Sequence, residues 1–211
     1  MNAPKILILK FSALGDVVHT LPFAATIRKS LPDSHITWMV EERYQDLLRG
    51  NPDIDEVLPL RTKVWRKNWT RKSLIEILGT IRTLRQGNFD IAFDLHGLLK
   101  SGIIAKLTGA PTRVGFHQKN CKEKISSLFT NHQAAYMPGG LHVVDMYLKL
   151  LQSVLGKVTE RKLFPLNVPD EADKVAPVFV NPAPSPVNDV AVILLNPDRF
   201  DAVSPTILPP I

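Results

Sequence analysis

The chain has one cysteine, Cys121, in 211 residues. A single thiol cannot close an internal disulfide or build a thiolate zinc cluster, and Cys121 reads as an inert thiol. No run of about 18 apolar residues occurs, which excludes a hydrophobic membrane-spanning helix. The first apolar stretch, residues 6–9 (ILIL), is too short for a secretion-signal core, so the expected compartment is the cytoplasm. Glycine is scarce where phosphate-binding loops need it. The first strand-to-helix turn carries Gly15 alone where a dinucleotide fold uses G-x-G-x-x-G, and no G-x-x-x-x-G-K-[ST] is present. His117 and His142 lack metal-ligand spacing with any other His, Cys or Glu. No glycine follows Gly156, whereas eight of the seventeen prolines fall in residues 174–211.

What is present is an alternation of strand and helix signals. Residues 5–10 (KILILK) read as a buried strand, followed by a loop over 11–15 and a helical period from Asp16 to Pro32. Residues 35–40 (HITWMV), 56–60, 91–95 (IAFDL) and 113–116 read as further strands. Helices are predicted over 43–49, 73–86 with Ser73 as N-cap, 98–108 and 141–155. The hydrophobic content of 45% suffices for one well-packed α/β domain. The β-α-β-α order predicts a mostly parallel, Rossmann-like sheet flanked by helices, with ligands bound beyond the carboxyl ends of its strands. The loops after residues 10, 40, 60, 95 and 116 should therefore share one functional edge. Residues 1–160 read as that domain and 161–187 as a proline-rich linker. Residues 188–211, opening on VAVILL, read as the start of another domain, with 174–211 expected to be poorly ordered because a lone strand has no partners.

Three segments on the predicted edge carry chemistry. In K-F-S-A-L-G-D (10–16), Asp16 sits at the start of a helix, where it can serve as an N-cap or face a ligand. Residues 61–72 hold six cations, Trp65 and Trp69, and no acid. They read either as a solvated loop or as an anion-binding stretch, since arginine pairs bidentately with phosphate and carboxylate. In D-L-H-G-L-L-K-S (94–101), His96 stands at the strand end, structural or in contact with a substrate. Lys119, Lys122 and Lys124 form a weaker basic group. The net charge of +6 suits an anionic partner without naming it.

Residues 10–22 (KFSALGDVVHTLP) resemble the opening motif of glycosyltransferase family 9, the lipopolysaccharide heptosyltransferases. WRK (65–67) and DLHGLLKS (94–101) are similar to the type I rather than the type II branch, and WMVEE (38–42) and SSLF (126–129) add to the match, which spans about residues 5–155. The resemblance implies the N-terminal half of a GT-B fold, two Rossmann-like domains facing across a cleft. It implies transfer of heptose from ADP-heptose to Kdo-bearing lipid A with inversion, at the cytoplasmic face of the inner membrane, with no metal and no cofactor. Asp16 falls on the family's general base. Lys63, Arg66, Lys67 and Lys122 fall on cationic contacts to Kdo carboxylates and lipid A phosphates, though the family commonly has arginine where Lys122 stands. Ser12 would orient Asp16 or the acceptor.

The family's donor domain opens with a strand and L-N-P-G-A, whereas here Leu195-Asn196-Pro197 runs into Asp198-Arg199. A truncated donor domain and negligible turnover by the chain alone are expected. Two other functions are compatible with parts of the sequence. A nucleotide-binding Rossmann module would use Glu41 or Glu42 after the second strand but lacks the glycines. A nucleic-acid module would use residues 61–72, yet no DNA- or RNA-reading motif is visible and no nucleic acid is expected.

Overall fold

The computed structural model describes residues 3–62, 70–160 and 162–165. Six strands form one all-parallel sheet: β1 (Lys5–Leu9), β2 (His35–Glu41), β3 (Glu56–Leu60), β4 (Ile91–Asp94), β5 (Thr112–Gly115) and β6 (His132–Gln133). Their order is β3-β2-β1-β4-β5-β6. The chain thus builds outward from β1 on one side and then, from β4, outward on the other. Central strands covered on both faces need no polar alternation, which is why β1 can be the continuous run KILIL, buried from Ile6 onward.

Among the described residues, five helices cover the sheet: α1 (Leu14–Val18), α2 (Leu21–Ser30), α3 (Arg71–Gln86), α4 (Leu99–Leu107) and α5 (Val143–Leu155). Parallel crossovers are right-handed, so connections that run outward on the two sides of β1 fall on opposite faces. The core divides accordingly. Ile6 and Ile8 pack with Phe23, Ala24 and Ile27 of α2 and with Tyr147, Leu150 and Leu151 of α5. Leu7 and Leu9, on the other face of β1, pack with Leu84 of α3 and Ala105 of α4. α5 can lie against α2 because its buried positions, Val144, Tyr147, Leu148, Leu150 and Leu151, gather on one side of the helix.

The parallel sheet and its helices match the expected fold class, and the departures are local. The single helix expected over 16–32 is two, α1 and α2, with a break at His19–Thr20; Pro22 stands in the first turn of α2, where its missing N–H costs no hydrogen bond. The cap of α3 is Thr70, not Ser73. Thr70 is extended, and its hydroxyl accepts the backbone N–H of Ser73, three residues into the helix, at 3.2 Å. The expected helix over 43–49 is a 3-10 turn, Glu42–Leu47. β6 and the 3-10 turns Gln118–Asn120 and Lys124–Phe129 were not expected; each is too short to impose a period.

Of the expected linker, only 162–165 are described, and the segment expected to open a second domain lies outside the described residues. Phe164 packs against the core beside α2 and α5, and the Asn51 side-chain amide donates to the Pro165 carbonyl at 2.8 Å.

Candidate active site

Strand order reverses between β1 and β4, and in open α/β sheets this switch point is where the connecting loops part to leave a crevice. The residue that follows β1 is Lys10. Its side chain is only 2% exposed, yet it carries a charge. Three partners hold it. Nζ donates to the Leu95 carbonyl at 3.1 Å, lies 3.3 Å from Oδ2 of Asp16, and sits 5.1 Å from the centre of the Tyr147 ring. Burial pulls the ammonium below its ordinary pKa, with the Asp16 carboxylate opposing the shift. The Lys10 backbone is fixed as well, its carbonyl accepting the Trp38 indole N–H at 3.1 Å.

Asp16 occupies the first turn of α1, not its N-cap, which is Ala13. The carboxylate is 29% exposed. Burial alone would push its pKa up, but Lys10, Lys122 and the Ala13 backbone N–H together hold it below the usual carboxylate value. The group is ionised and oriented, and it keeps one open side.

Lys122 reaches the same oxygen from the loop after β5, with Nζ 3.6 Å from Asp16 Oδ2. Its delivery depends on a glycine in a different loop. Gly97 has φ +64°, a conformation that other residues rarely adopt, and a Cβ there would stand 3.4 Å from both the Cys121 Cα and the Lys122 nitrogen. Across this close approach the Glu123 N–H donates to the Gly97 carbonyl at 3.0 Å, and the Leu99 N–H donates to the Glu123 carboxylate at 2.6 Å. The loops after β4 and β5 are thereby locked together, and Lys122 is carried over Asp16.

His96, singled out in the sequence for substrate contact, lies between these cations but is only 4% exposed. Its ring stands 5.2 Å from that of Phe11, and Nδ1 is buried without a hydrogen-bond partner. Burial, reinforced by Lys10, Lys100 and Lys122, lowers its pKa to about 3, so the imidazole is neutral. The Asp94 carboxylate beneath it accepts the N–H groups of His96 and Gly97 at 2.9 and 3.1 Å and shapes the turn. Burial pushes its pKa up.

Ser12 is half-buried in the loop between Lys10 and Asp16, and among the described residues it makes no hydrogen bond to Asp16. Lys63, Arg66 and Lys67 lie outside the described residues. The sequence reading assigned no role to Lys10, Tyr147, or the ring pair His19–His142, whose centroids are 5.4 Å apart. The one available signal was Lys10 itself, a charge closing a fully apolar strand. Burial and the neighbouring His142 keep the His19 pKa below its ordinary value.

A carboxylate held ionised at the crevice can accept a proton from a neutral hydroxyl, and the lysines beside it attract anions. The same arrangement suits a dinucleotide poorly. Asp16 puts a negative charge in the first turn of α1, where a pyrophosphate would need the helix start free. Among the described residues no group of three or more His, Cys, Asp or Glu could hold a metal ion. Nor is any described helix long and apolar enough to cross a membrane.

Residues 77–183, about half of the chain, match the family model described as glycosyltransferase family 9 (heptosyltransferase). Lipopolysaccharide heptosyltransferase 1 of Pseudomonas aeruginosa is 29% identical over 153 residues, covering 72% of this chain and 42% of that protein. The protein of the same name from Campylobacter coli is 30% identical over 158 residues, covering 75% and 44%. Among solved structures, E. coli heptosyltransferase WaaC with ADP superposes with a TM-score of 0.68 at 26% identity, over 75% of this chain and 49% of that one. The same enzyme has been solved with ADP-2-deoxy-2-fluoro heptose. The chain thus spans less than half the length of these curated relatives.

Proposed function

This chain belongs to glycosyltransferase family 9, the heptosyltransferases, and on that premise we propose that residues 1–160 form the acceptor-side domain of an inverting sugar transferase. Asp16 is the general base. It takes the proton of the acceptor hydroxyl as that oxygen attacks the anomeric carbon of ADP-heptose, and ADP leaves from the opposite face. A sugar hydroxyl is a poor nucleophile at neutral pH, and a positioned carboxylate typically contributes about 10²–10⁴-fold in such a step. Lys10 keeps the carboxylate ionised and aimed, while Lys122, with Lys63, Arg66 and Lys67, receives the carboxylates and phosphates of Kdo-lipid A. Ser12 and His96 line the same crevice. The donor belongs to a second domain, beginning near residue 188 after the 161–187 linker, and the reaction runs at the cytoplasmic face of the inner membrane.

The observation that carries this reading is the half-open Asp16 carboxylate at the switch point, clasped by a buried and an exposed lysine. A relative solved with an ADP-heptose analogue supports the choice of donor class. The test is calorimetric titration of the chain with a deacylated, Kdo-bearing lipid A saccharide. Binding should weaken about tenfold or more in Lys122→Glu and stay near wild type in Asp16→Asn. In a full-length relative the equivalent aspartate-to-asparagine change should remove transfer while leaving acceptor binding intact. No saccharide binding by the wild-type chain, or tighter binding of NAD or of random oligonucleotides, would overturn the proposal.

A further inference from the structure

The helix α3 is unusual in what it shows to solvent. Leu74, Ile75 and Leu78 are 48%, 69% and 57% exposed, whereas Leu84 is the one large apolar side chain of this helix in the buried core. Helical spacing puts the three exposed residues on one arc of the surface together with Arg71, Arg82 and Arg85, which are also exposed. Glu76, the only acid in the helix, falls on the opposite side of the wheel from this arc. Leu78, Arg82 and Arg85 continue into a shallow hollow with Ile81, Gln86 and Asn88.

An ordinary surface helix puts its apolar stripe inward and its charges outward. Here the outward face combines apolar side chains with arginines and no acid. That combination suits an interface in which apolar groups enter the acyl boundary while guanidinium groups snorkel to phosphates. Position on the fold fits too. α3 leaves the carboxyl edge of the sheet after β3, so Leu74–Leu78 lie within about 12 Å of the helix start at that edge. In the sequence it directly follows the basic, tryptophan-bearing stretch 61–70.

We propose that this face of α3 docks on an anionic phospholipid surface and so holds the edge with Asp16 against the membrane that presents the acceptor. The proposal rests on the lipid-acceptor reading above and assigns the contact to named residues. Leu74, Ile75 and Leu78 supply apolar insertion, and Arg71, Arg82 and Arg85 pair with headgroup phosphates.

The test is flotation of the full chain with vesicles of phosphatidylglycerol and phosphatidylethanolamine that contain no sugar-bearing lipid. Binding is expected there, with little to pure phosphatidylcholine, and should weaken as salt screens the arginines. Leu74→Ser/Ile75→Ser/Leu78→Ser should lose roughly tenfold or more in partition. Replacing the three arginines by glutamine should cost up to about fivefold per residue. Lys29→Gln/Lys149→Gln, which removes charge from the opposite face of the sheet, should bind as wild type. Circular dichroism of each variant verifies the fold. No binding by the wild-type chain overturns the proposal, as does equal loss in the opposite-face variant, which would mean net charge alone. So does a change in oligomeric state on serine substitution without a change in vesicle binding, since the face would then join copies of the chain. Saccharide titration in the absence of vesicles reads the acceptor site separately, so either idea can fail without the other.

Discussion

His96 is neutral because the fold leaves it no solvent and surrounds it with ammonium groups. Its folded pKa of about 3 lies below the ordinary histidine value, so the unfolded chain takes up a proton first as pH falls. Stability contributed by the neutral ring is complete well above the unfolded pKa and is lost progressively below it, down to the folded pKa. At about pH 5 this loss should be about 2 kcal/mol. His19, also shifted down, acts with the same sign. Asp94, shifted up, acts with the opposite sign, because its folded form binds a proton before the unfolded one does. Asp16, shifted down, holds its contribution until pH falls below the ordinary carboxylate range. Comparison with a variant isolates His96. His96→Phe fills the space without an orphaned nitrogen, and in urea titrations it should gain about 2 kcal/mol on wild type between about pH 7 and about pH 5. An unchanged difference at the two values would mean that the ring is hydrated. Lys10 governs the other side of the site. Lys10→Met should cost about 1–3 kcal/mol, because it removes the donor to the Leu95 carbonyl and leaves Asp16 with the exposed Lys122 as its one neighbouring ammonium among the described residues. It should also raise the Asp16 pKa, so in a full-length relative the equivalent lysine-to-methionine change should move the acid limb of turnover to higher pH; an unmoved limb would show that this lysine does not set the ionisation of the carboxylate proposed as base.

At the scale of elements, the site is made by loops that must touch, and two small residues let them. Gly97 admits the chain that carries Lys122, while Gly102 lets α4 approach the turn Lys124–Phe129. An alanine Cβ at Gly102 would stand 2.9 Å from the Ser126 carbonyl oxygen and 3.2 Å from the Phe129 side chain. Helix propensity favours alanine by about 1 kcal/mol, but a backbone oxygen cannot move aside like a flexible side chain, so the clash wins. Gly102→Ala should lower stability by about 1–2 kcal/mol in chemical denaturation and loosen the loop that positions Lys122, weakening saccharide binding as well. Greater stability in that variant would show that the turn yields. These elements divide what the sequence could reveal from what it could not. β1 was legible because an apolar run at the centre of a sheet needs no partner information, and Asp16 because its strand–turn–helix context is local. The pairing of Lys10 was not legible, since its carbonyl partner and its ring partner come from 85 and 137 positions away. β6 was hidden by its length of two residues, and Thr70 as the cap of α3 by an equally suitable serine three positions on.

On the scale of the whole molecule, both faces of the sheet close over their cores within residues 3–165. Ile6 and Ile8 are sealed by α2 and α5 and Leu7 and Leu9 by α3 and α4, so the described neighbours of these core residues lie inside this stretch. A chain ending at Pro165 should therefore unfold in one cooperative transition, with far-UV and near-UV signals that coincide. Where the boundary lies is a sharper question. The four residues 162–165 lie outside every helix and strand, yet Phe164 packs on the core face that carries α5, Pro165 accepts from the Asn51 amide at 2.8 Å, and Lys162 pairs with Asp145 of α5 at 2.7 Å. The lysine pair is exposed and contributes little; the ring and the amide bond are sheltered and contribute most of the effect. A chain ending at Gly156 loses all three and uncovers the apolar core surface on which Phe164 packs. It should be less stable than the chain ending at Pro165 by about 1–3 kcal/mol, with an unchanged dependence on urea per unit of exposed surface. Equal midpoints for the two lengths would place the end of the cooperative unit at α5 and leave 162–165 as a passenger.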